Sequence, residues 1–372
     1  MTALRHVLLL FLLWRGGLFC LALVGLNLTQ PFPPQDPPVL PKHYFLDAWL
    51  HWDALHYLDI AARGYRLDPS EPKYGSPVVF FPLYPWLVRC LGALVGLPAA
   101  ALLVANLSSL GALWYLRRIA LRYLDEQQAE LALVLLLVFP TSFFLSAGYS
   151  EGLYLLTSTA CTDAFLSRRY LRCGMWGFLA ALTRSAGVLH VVLFGGAVLL
   201  RLVRRQERFS PAMMGLLLIP AGLGVYMLLL HVQVGDALAF ARYQARWQRH
   251  TAFPLSTLAV ALAKTDWSFP RDAANMQRLL DFLFAIGCLG IGVAMLRRFP
   301  PVLGLLPILG VLLPLSTGRL LSMSRFVLVQ FPIFLYLAQQ ISGRPAERPV
   351  IFVFAFLLCM YMLNFLNWGW AG

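Results

Sequence analysis

The stretch Val78-Val79-Phe80-Phe81-Pro82-Leu83-Tyr84-Pro85-Trp86, running on to Leu97, decides how the chain is laid out. It is apolar enough to cross a hydrocarbon core of roughly 30 Å, which takes a helix of about 20 residues. Whether it crosses sets the side of every loop that follows. Suppose that it lies in the outer interface. The cytoplasmic loops then hold Arg117-Arg118 with Arg122, Arg168-Arg169 with Arg172, Arg201 through Arg208, Arg297-Arg298, and Arg344 with Arg348. Cytoplasmic loops carry this kind of Lys and Arg excess. If the stretch spans instead, the clusters after 117, 168, 201 and 297 face outward. The interfacial reading is therefore adopted. Two prolines, a tyrosine and a tryptophan also suit it.

Outward from that stretch, hydropathy predicts helices near 5–26, 99–117, 130–147, 152–167, 174–184, 187–203, 212–231, 280–296, 301–315, 325–341 and 349–367. The expected fold is an all-α polytopic membrane protein, with about eleven transmembrane helices and interfacial helices in the first outer loop. Composition agrees: 59% of the 372 residues are hydrophobic and 13% are charged, against about 25% charged in soluble domains. No polar stretch is long enough for a separate soluble domain, so 1–372 reads as one membrane domain. Its outer polar stretches are 27–98, 232–279 and 316–324. Residues 27–42 hold Pro31, Pro33, Pro34, Pro37, Pro38 and Pro41, which predicts an irregular approach. Arg5 ahead of an apolar run resembles a signal peptide, but the run continues to Leu26 without a small-residue cleavage site, so an uncleaved first helix is expected.

The formal charge is +13, from 30 Lys and Arg against 17 Asp and Glu. Topology accounts for part of it, and the rest falls in loops placed outside. The six cysteines form no CxxC pair and no metal-ligand spacing, and most lie in apolar runs as small hydrophobes.

The first outer loop contains His51-Trp52-Asp53-Ala54-Leu55-His56-Tyr57-Leu58-Asp59-Ile60-Ala61-Ala62-Arg63-Gly64-Tyr65. On a helix, Asp53, His56 and Asp59 share one face. An amphipathic helix whose polar face only meets water fits the same pattern. Three polar sites interrupt later apolar segments: Tyr149-Ser150-Glu151, Thr183-Arg184-Ser185 and Ser322-Met323-Ser324-Arg325. An ionisable group at the centre of a membrane helix costs roughly 2.5–3.5 kcal/mol on insertion scales. Each site falls at the outer end of its segment. One alone is accounted for by a side chain reaching toward the interface. Three on one side, beside an acidic outer loop, point to a shared cavity.

These stretches resemble the GPI mannosyltransferase II (PIG-V-like) family of the GT-C superfamily of membrane glycosyltransferases. The resemblance is carried by Trp52-Asp53-x-x-His56-Tyr57-x-x-Ile60-Ala61-x-x-Gly64-Tyr65, then Phe80-Phe81-Pro82-Leu83-Tyr84-Pro85, Tyr149-Ser150-Glu151, Thr183-Arg184-Ser185, Gly235-Asp236 and Ser324-Arg325-Phe326-Val327-Leu328, in that order along the chain. It departs from the family at Ser324, where a proline precedes the arginine. The resemblance implies a GT-C-type fold and transfer of mannose from a polyprenyl-phosphate carrier to a lipid or glycan acceptor on the outer or lumenal face. It also implies an acidic residue in the first outer loop, which maps onto Asp53. The compact loops look more like a prokaryotic relative, in a plasma membrane, than an ER enzyme.

Chemistry fits one acid and several cations. A sugar leaving a lipid phosphate departs as an anion, so the second acid of glycosidases is not needed. One carboxylate must take the acceptor's proton, and Asp53 is the candidate base of an inverting transfer. Arg184 and Arg325 are the first candidates for the donor phosphate, with Arg63, Arg242, Arg246 and His56 as further ones. Glu151 and Asp236 either orient sugar hydroxyls or pair with these arginines. Trp52 and Tyr84 complete the expected substrate contacts. No Gly-rich phosphate loop or Asp-x-Asp nucleotide-sugar motif is present, so no cofactor, metal or nucleic-acid partner is expected. A transferase with another lipid-linked sugar and a lipid or sugar transporter remain alternatives.

Overall fold

The structure is a computed structural model that describes residues 2–29, 37–67, 76–265 and 273–370. Pro31, Pro33 and Pro34 lie outside the described residues, as do 68–75 and 266–272 of the two long polar stretches. The described residues form helices and turns, with no strand among them.

The chain begins with α1 (Thr2–Leu28), followed by the short α2 (Tyr44–Asp47) and by α3 (Asp53–Arg63), which carries the first motif. The decisive stretch 78–97 folds as one turn of 3-10 helix at Pro77–Val79 and then α4 (Leu83–Val95). At 13 residues, α4 is roughly 20 Å long, too short to cross a bilayer core as a straight helix. Gly96, at φ 83°, turns the chain into α5 (Leu97–Ala120), with Pro98 in its first turn. Asp125 then caps α6 (Glu126–Leu137) by accepting the Gln128 N–H at 2.8 Å.

The next helices form the centre. α7 (Glu151–Leu166) packs against α5 and α8 (Tyr170–Thr183) and is buried along nearly its whole length. Its threonine hydroxyls are satisfied within the helix: Thr157 donates to Leu153 O at 2.9 Å, Thr159 to Leu155 O at 2.7 Å and Thr162 to Ser158 O at 2.8 Å. Small residues let the backbones approach. A Cβ on Gly152 would meet Ser109 Oγ at 2.3 Å, and one on Gly174 would meet Gly215 O at 1.8 Å. After Arg184 come a 3-10 turn, a π-turn and α9 (Gly196–Val203), then α10 (Leu218–Val234), α11 (Ala239–Arg242) and α12 (Pro254–Lys264). The chain finishes with α13 (Ala273–Met295), α14 (Pro301–Leu315), α15 (Met323–Leu328), α16 (Pro332–Ile341) and α17 (Glu347–Leu366).

Among the described residues, six stretches are helical, long and apolar enough to span a membrane: Leu4–Leu28, Leu97–Ala120, Ser185–Val203, Pro211–Val234, Asn275–Met295 and Glu347–Leu366. The chain is thus an all-helical integral membrane protein. Several of the other expected spans are shorter or broken. The run 130–147 stops at Leu137 because Pro140 disfavours helix in the residue before it, and resumes as a 3-10 turn at Ser142–Leu145. The run 325–341 is two helices, parted before Pro332, which lacks the N–H that a continuous helix needs.

One end of the bundle gathers basic clusters. Arg118 and Arg122 reach Asp163 at 3.0 and 2.7 Å, Arg201 lies over the Phe165 ring, and Phe299 meets Tyr123. The opposite end of α7 carries Glu151, and around it the three interrupting motifs meet.

Candidate active site

Asp53 opens α3 immediately after Trp52, whose backbone sits at φ 58° in the left-handed region. A non-glycine residue there is strained by about 1–2 kcal/mol. Three bonds stitch this corner to the start of α7: Gly148 N–H to Trp49 O (3.0 Å), the Tyr149 hydroxyl to His51 O (2.9 Å), and Tyr57 with Ser150 between their hydroxyls (2.7 Å). Glycine at 148 allows the close approach: a Cβ there would meet Leu50 Cδ2 at 2.7 Å and push that side chain aside. The stitching sets Asp53 and Glu151 on two sides of one arginine.

That arginine is Arg325. Its Nη2 pairs with Asp53 Oδ2 at 2.7 Å and its Nε with Glu151 Oε1 at 2.8 Å. Arg184, the extended residue that ends α8, donates from Nη1 to the same Glu151 oxygen at 2.6 Å. The guanidinium of Arg325 also lies over the Phe144 and Tyr149 rings, 5.4 and 5.3 Å from their centroids. Asp53, Glu151, Arg184 and Arg325 therefore form one continuous, largely buried network. Glu151 is fully buried, and its Oε2 has no hydrogen-bond partner among the described residues.

Two further arginines face this network. The guanidinium of Arg249 lies over the Phe326 ring at 5.9 Å, and that of Arg184 lies over the same ring at 5.4 Å. Arg319 donates to Trp247 O at 3.0 Å. The chain carrying Arg249 runs beside that of Arg319, with His250 N–H bonded to Thr317 O and Ala252 N–H to Ser316 O. Burial lowers the Arg249 pKa to about 10; the charges of Arg325, Arg184 and Arg319 push the same way, and Asp53 opposes them. Among the described residues no carboxylate pairs with Arg249 or Arg319. Among the described residues, four arginines thus stand around two carboxylates, a surplus of two positive charges.

The other expected residues lie around this centre or away from it. His56 stacks on Phe80 at 4.9 Å, with Trp247 edge-on at 5.5 Å. Tyr84 is buried behind Tyr57 and donates to Ala101 O at 2.9 Å. Trp52 meets Trp370 edge-on at 5.3 Å, and its buried indole N–H has no hydrogen-bond partner among the described residues. Arg63 pairs with Asp59 at the far end of α3. Asp236 and Arg242 pair with each other at 3.0 Å on an exposed surface, and Arg246 lies over Tyr243. Sequence reasoning passed over Arg249, although it lies close to Arg242 and Arg246. Helical extrapolation puts all three on one face, but Gln248 at φ 56° turns the chain and sends Arg249 to the site. Among the described residues no group of three His, Cys, Asp or Glu side chains is placed to hold a metal ion.

A family model described as Mannosyltransferase (PIG-V) matches residues 7–238, more than half of the chain. Asp53, Glu151 and Arg184 lie within that match, and Arg249, Arg319 and Arg325 lie beyond it. Human GPI alpha-1,6-mannosyltransferase 2 is 31% identical over 179 residues, which cover 42% of this chain and 34% of that protein. Among solved structures, the apo form of the Archaeoglobus fulgidus oligosaccharyltransferase aligns over 96% of this chain and 56% of its own, with 14% identity and a TM-score of 0.47. The A. fulgidus oligosaccharyltransferase AglB in complex with an inhibitory peptide and a dolichol-phosphate aligns over 95% and 55%, with 13% identity and a TM-score of 0.43. The chain spans about a third of the curated relative and about half of each of these structures.

Proposed function

The chain belongs to the PIG-V mannosyltransferase family, and from that premise we propose that it is a membrane glycosyltransferase moving mannose from a polyprenyl-phosphate carrier to a lipid or glycan acceptor at the outer face. The observation that carries this reading is the surplus of two positive charges around Asp53 and Glu151. A lipid phosphate sugar is a phosphodiester with one negative charge. It leaves as a monoester, which carries about −1.5 to −2 at neutral pH. A site that is two charges positive before the donor arrives favours the leaving group more than the bound donor. That difference is what accelerates a reaction.

Asp53 is the general base. The acceptor hydroxyl gives its proton to the carboxylate as its oxygen forms a bond to C1 of the sugar. The bond from C1 to the phosphate oxygen breaks, and the polyprenyl phosphate departs from the opposite face, so the anomeric configuration inverts. Arg325 fixes the direction of the Asp53 carboxylate. Arg184 and Arg249, facing the same ring, receive the phosphate, and Arg319 adds charge behind them. The unpartnered oxygen of Glu151 accepts a sugar hydroxyl, since a buried oxygen without a donor costs about 1–3 kcal/mol. Trp52 offers an indole N–H to the acceptor side.

The donor is tested with full-length protein in membranes, supplied with labelled polyprenyl-phosphate mannose, polyprenyl-phosphate glucose or GDP-mannose, and a cell-lipid extract as acceptor. The reading expects label in product from the first donor alone. Transfer from the glucose donor would redirect the sugar assignment. Transfer from GDP-mannose with none from either lipid donor would remove the phosphate role of Arg184 and Arg249.

A further inference from the structure

Arg325 stands at the third position of α15, a helix of six residues. The helix begins at Ser322, whose backbone lies in the left-handed region at φ 64° and whose side chain makes no capping bond. A non-glycine residue persists there only where its surroundings hold it. The holding group comes from another helix. Asp281, fully buried in α13, accepts the Ser322 N–H on one carboxylate oxygen at 3.1 Å and the Ser324 N–H on the other at 3.2 Å. Thr141 donates to Ser324 O at 3.1 Å from the opposite side. The backbone is thus clamped directly before Arg325.

A carboxylate within a membrane-spanning helix is costly and calls for a reason. No Lys or Arg pairs with Asp281 among the described residues, so charge balance is not the reason. Packing alone is served as well by an apolar side chain. Both oxygens are committed to the segment that bears Arg325, whose guanidinium must meet Asp53 at 2.7 Å and Glu151 at 2.8 Å together. A small displacement of such a group is enough to impair catalysis.

We infer that Asp281 is the positioning residue for Arg325: its carboxylate, bound to two backbone N–H groups at the start of α15, holds the guanidinium between Asp53 and Glu151. Asp281 touches no reacting atom. Its kinetic consequence rests on the reading of Asp53 as the base, but the clamp itself does not.

The test uses full-length protein in lipid nanodiscs with Asp281→Asn and Asp281→Ala, each also placed in an Arg325→Lys background. Asparagine keeps one acceptor oxygen, and alanine keeps none. Hydrogen exchange at amides 322–324 is expected to rise at least ~10-fold in Asp281→Ala, and less in Asp281→Asn, with α5 and α16 unchanged. In transfer assays kcat is expected to fall at least ~10-fold in Asp281→Ala, with the donor KM within ~2-fold, because Arg184 and Arg249 still hold the phosphate. In the Arg325→Lys background the same change is expected to cost less than ~2-fold, since two residues acting through one contact are not additive. Unchanged exchange at 322–324 overturns the clamp. Equal kcat losses in both backgrounds overturn its link to Arg325. A wild-type protein that transfers no sugar defeats the functional reading instead, and the exchange data still decide the clamp.

Discussion

α7 carries one carboxylate near each end, and each meets two arginines. At one end Asp163 receives Arg118 and Arg122, whose side chains are 41% and 31% exposed. At the other, Glu151 receives Arg184 and Arg325, which are 15% and 10% exposed. The pairing is alike and the surroundings differ. Asp163 is itself buried, but its arginines reach water, so solvent screens these pairs, which are worth about 0–1 kcal/mol each and tie the ends of α5 and α7 together. The second lies among aromatic rings, with a second carboxylate on Arg325 and two more arginines facing it. Buried charge without full compensation is unfavourable by itself, and it becomes useful when a substrate brings the missing charge. An ion pair alone therefore says little about function; burial together with a charge surplus says more.

The comparison breaks most readily at Arg325. Arg325→Ala leaves Asp53 and Glu151 buried without their shared partner, so a loss of about 3–5 kcal/mol in stability is expected, read by thermal unfolding in nanodiscs. A loss below 1 kcal/mol would make the Glu151 cluster no different from the Asp163 one. Arg325→Lys keeps the charge and is expected to recover part of the stability but little activity, since lysine lacks the fork that reaches both acids.

Burial of the Glu151 end is sharpened by His51, which sits beside Asp53 and stacks on Trp368 at 3.9 Å. Burial lowers its pKa to about 4, against the opposing effects of its bond to Phe365 O and of the Asp47 charge. The unfolded chain takes up a proton near pH 6.5 and the folded chain only near 4. His51 therefore leaves stability intact above pH 6.5 and removes roughly 3 kcal/mol progressively as pH falls from there to 4. The acid slope of the melting temperature in that window is expected to be shallower in His51→Gln than in wild type. Equal slopes would contradict this environment.

Smaller effects follow for the proposed donor contacts and then for the Asp163 cluster. Arg249→Ala is expected to raise the donor KM by about 10- to 100-fold, the worth of a charge-assisted contact of roughly 1.5–3 kcal/mol. Arg242→Ala, in an exposed pair with Asp236, is expected to change it less than about 2-fold. Arg118→Ala and Arg122→Ala are expected to leave transfer within about 2-fold of wild type and stability within about 1 kcal/mol. A variant at the Asp163 end as damaging as Arg249→Ala would erase the distinction between the two ends.

Much of this was legible in the sequence because the signals are local. Apolar runs give the all-helical membrane class, and polar triplets inside such runs are rare enough to mark Glu151, Arg184 and Arg325. The charges after 78–97 argue against a span there, and the 13 residues of α4 are too few for a straight one. Three things were not. Hydropathy does not see the breaks at Pro140 and before Pro332, so continuous runs read as single spans. Arg249 is redirected by one left-handed residue, which no periodicity reports. Asp281 is a lone acid in an apolar helix, and its partners are backbone groups 41 and 43 residues away, which carry no side-chain signature.

The central claim is that Asp53 takes the acceptor's proton within a site whose cations hold the leaving phosphate. The most direct measurement is single-turnover transfer of labelled mannose from polyprenyl-phosphate mannose by wild type and Asp53→Asn in nanodiscs, with donor affinity measured in parallel. Asparagine keeps the shape of the side chain and removes its basicity. The account predicts a fall of about 10²–10⁴ in the transfer rate, the usual contribution of a general base, with donor affinity within about 3-fold of wild type. An Asp53→Asn protein that transfers at the wild-type rate would contradict it.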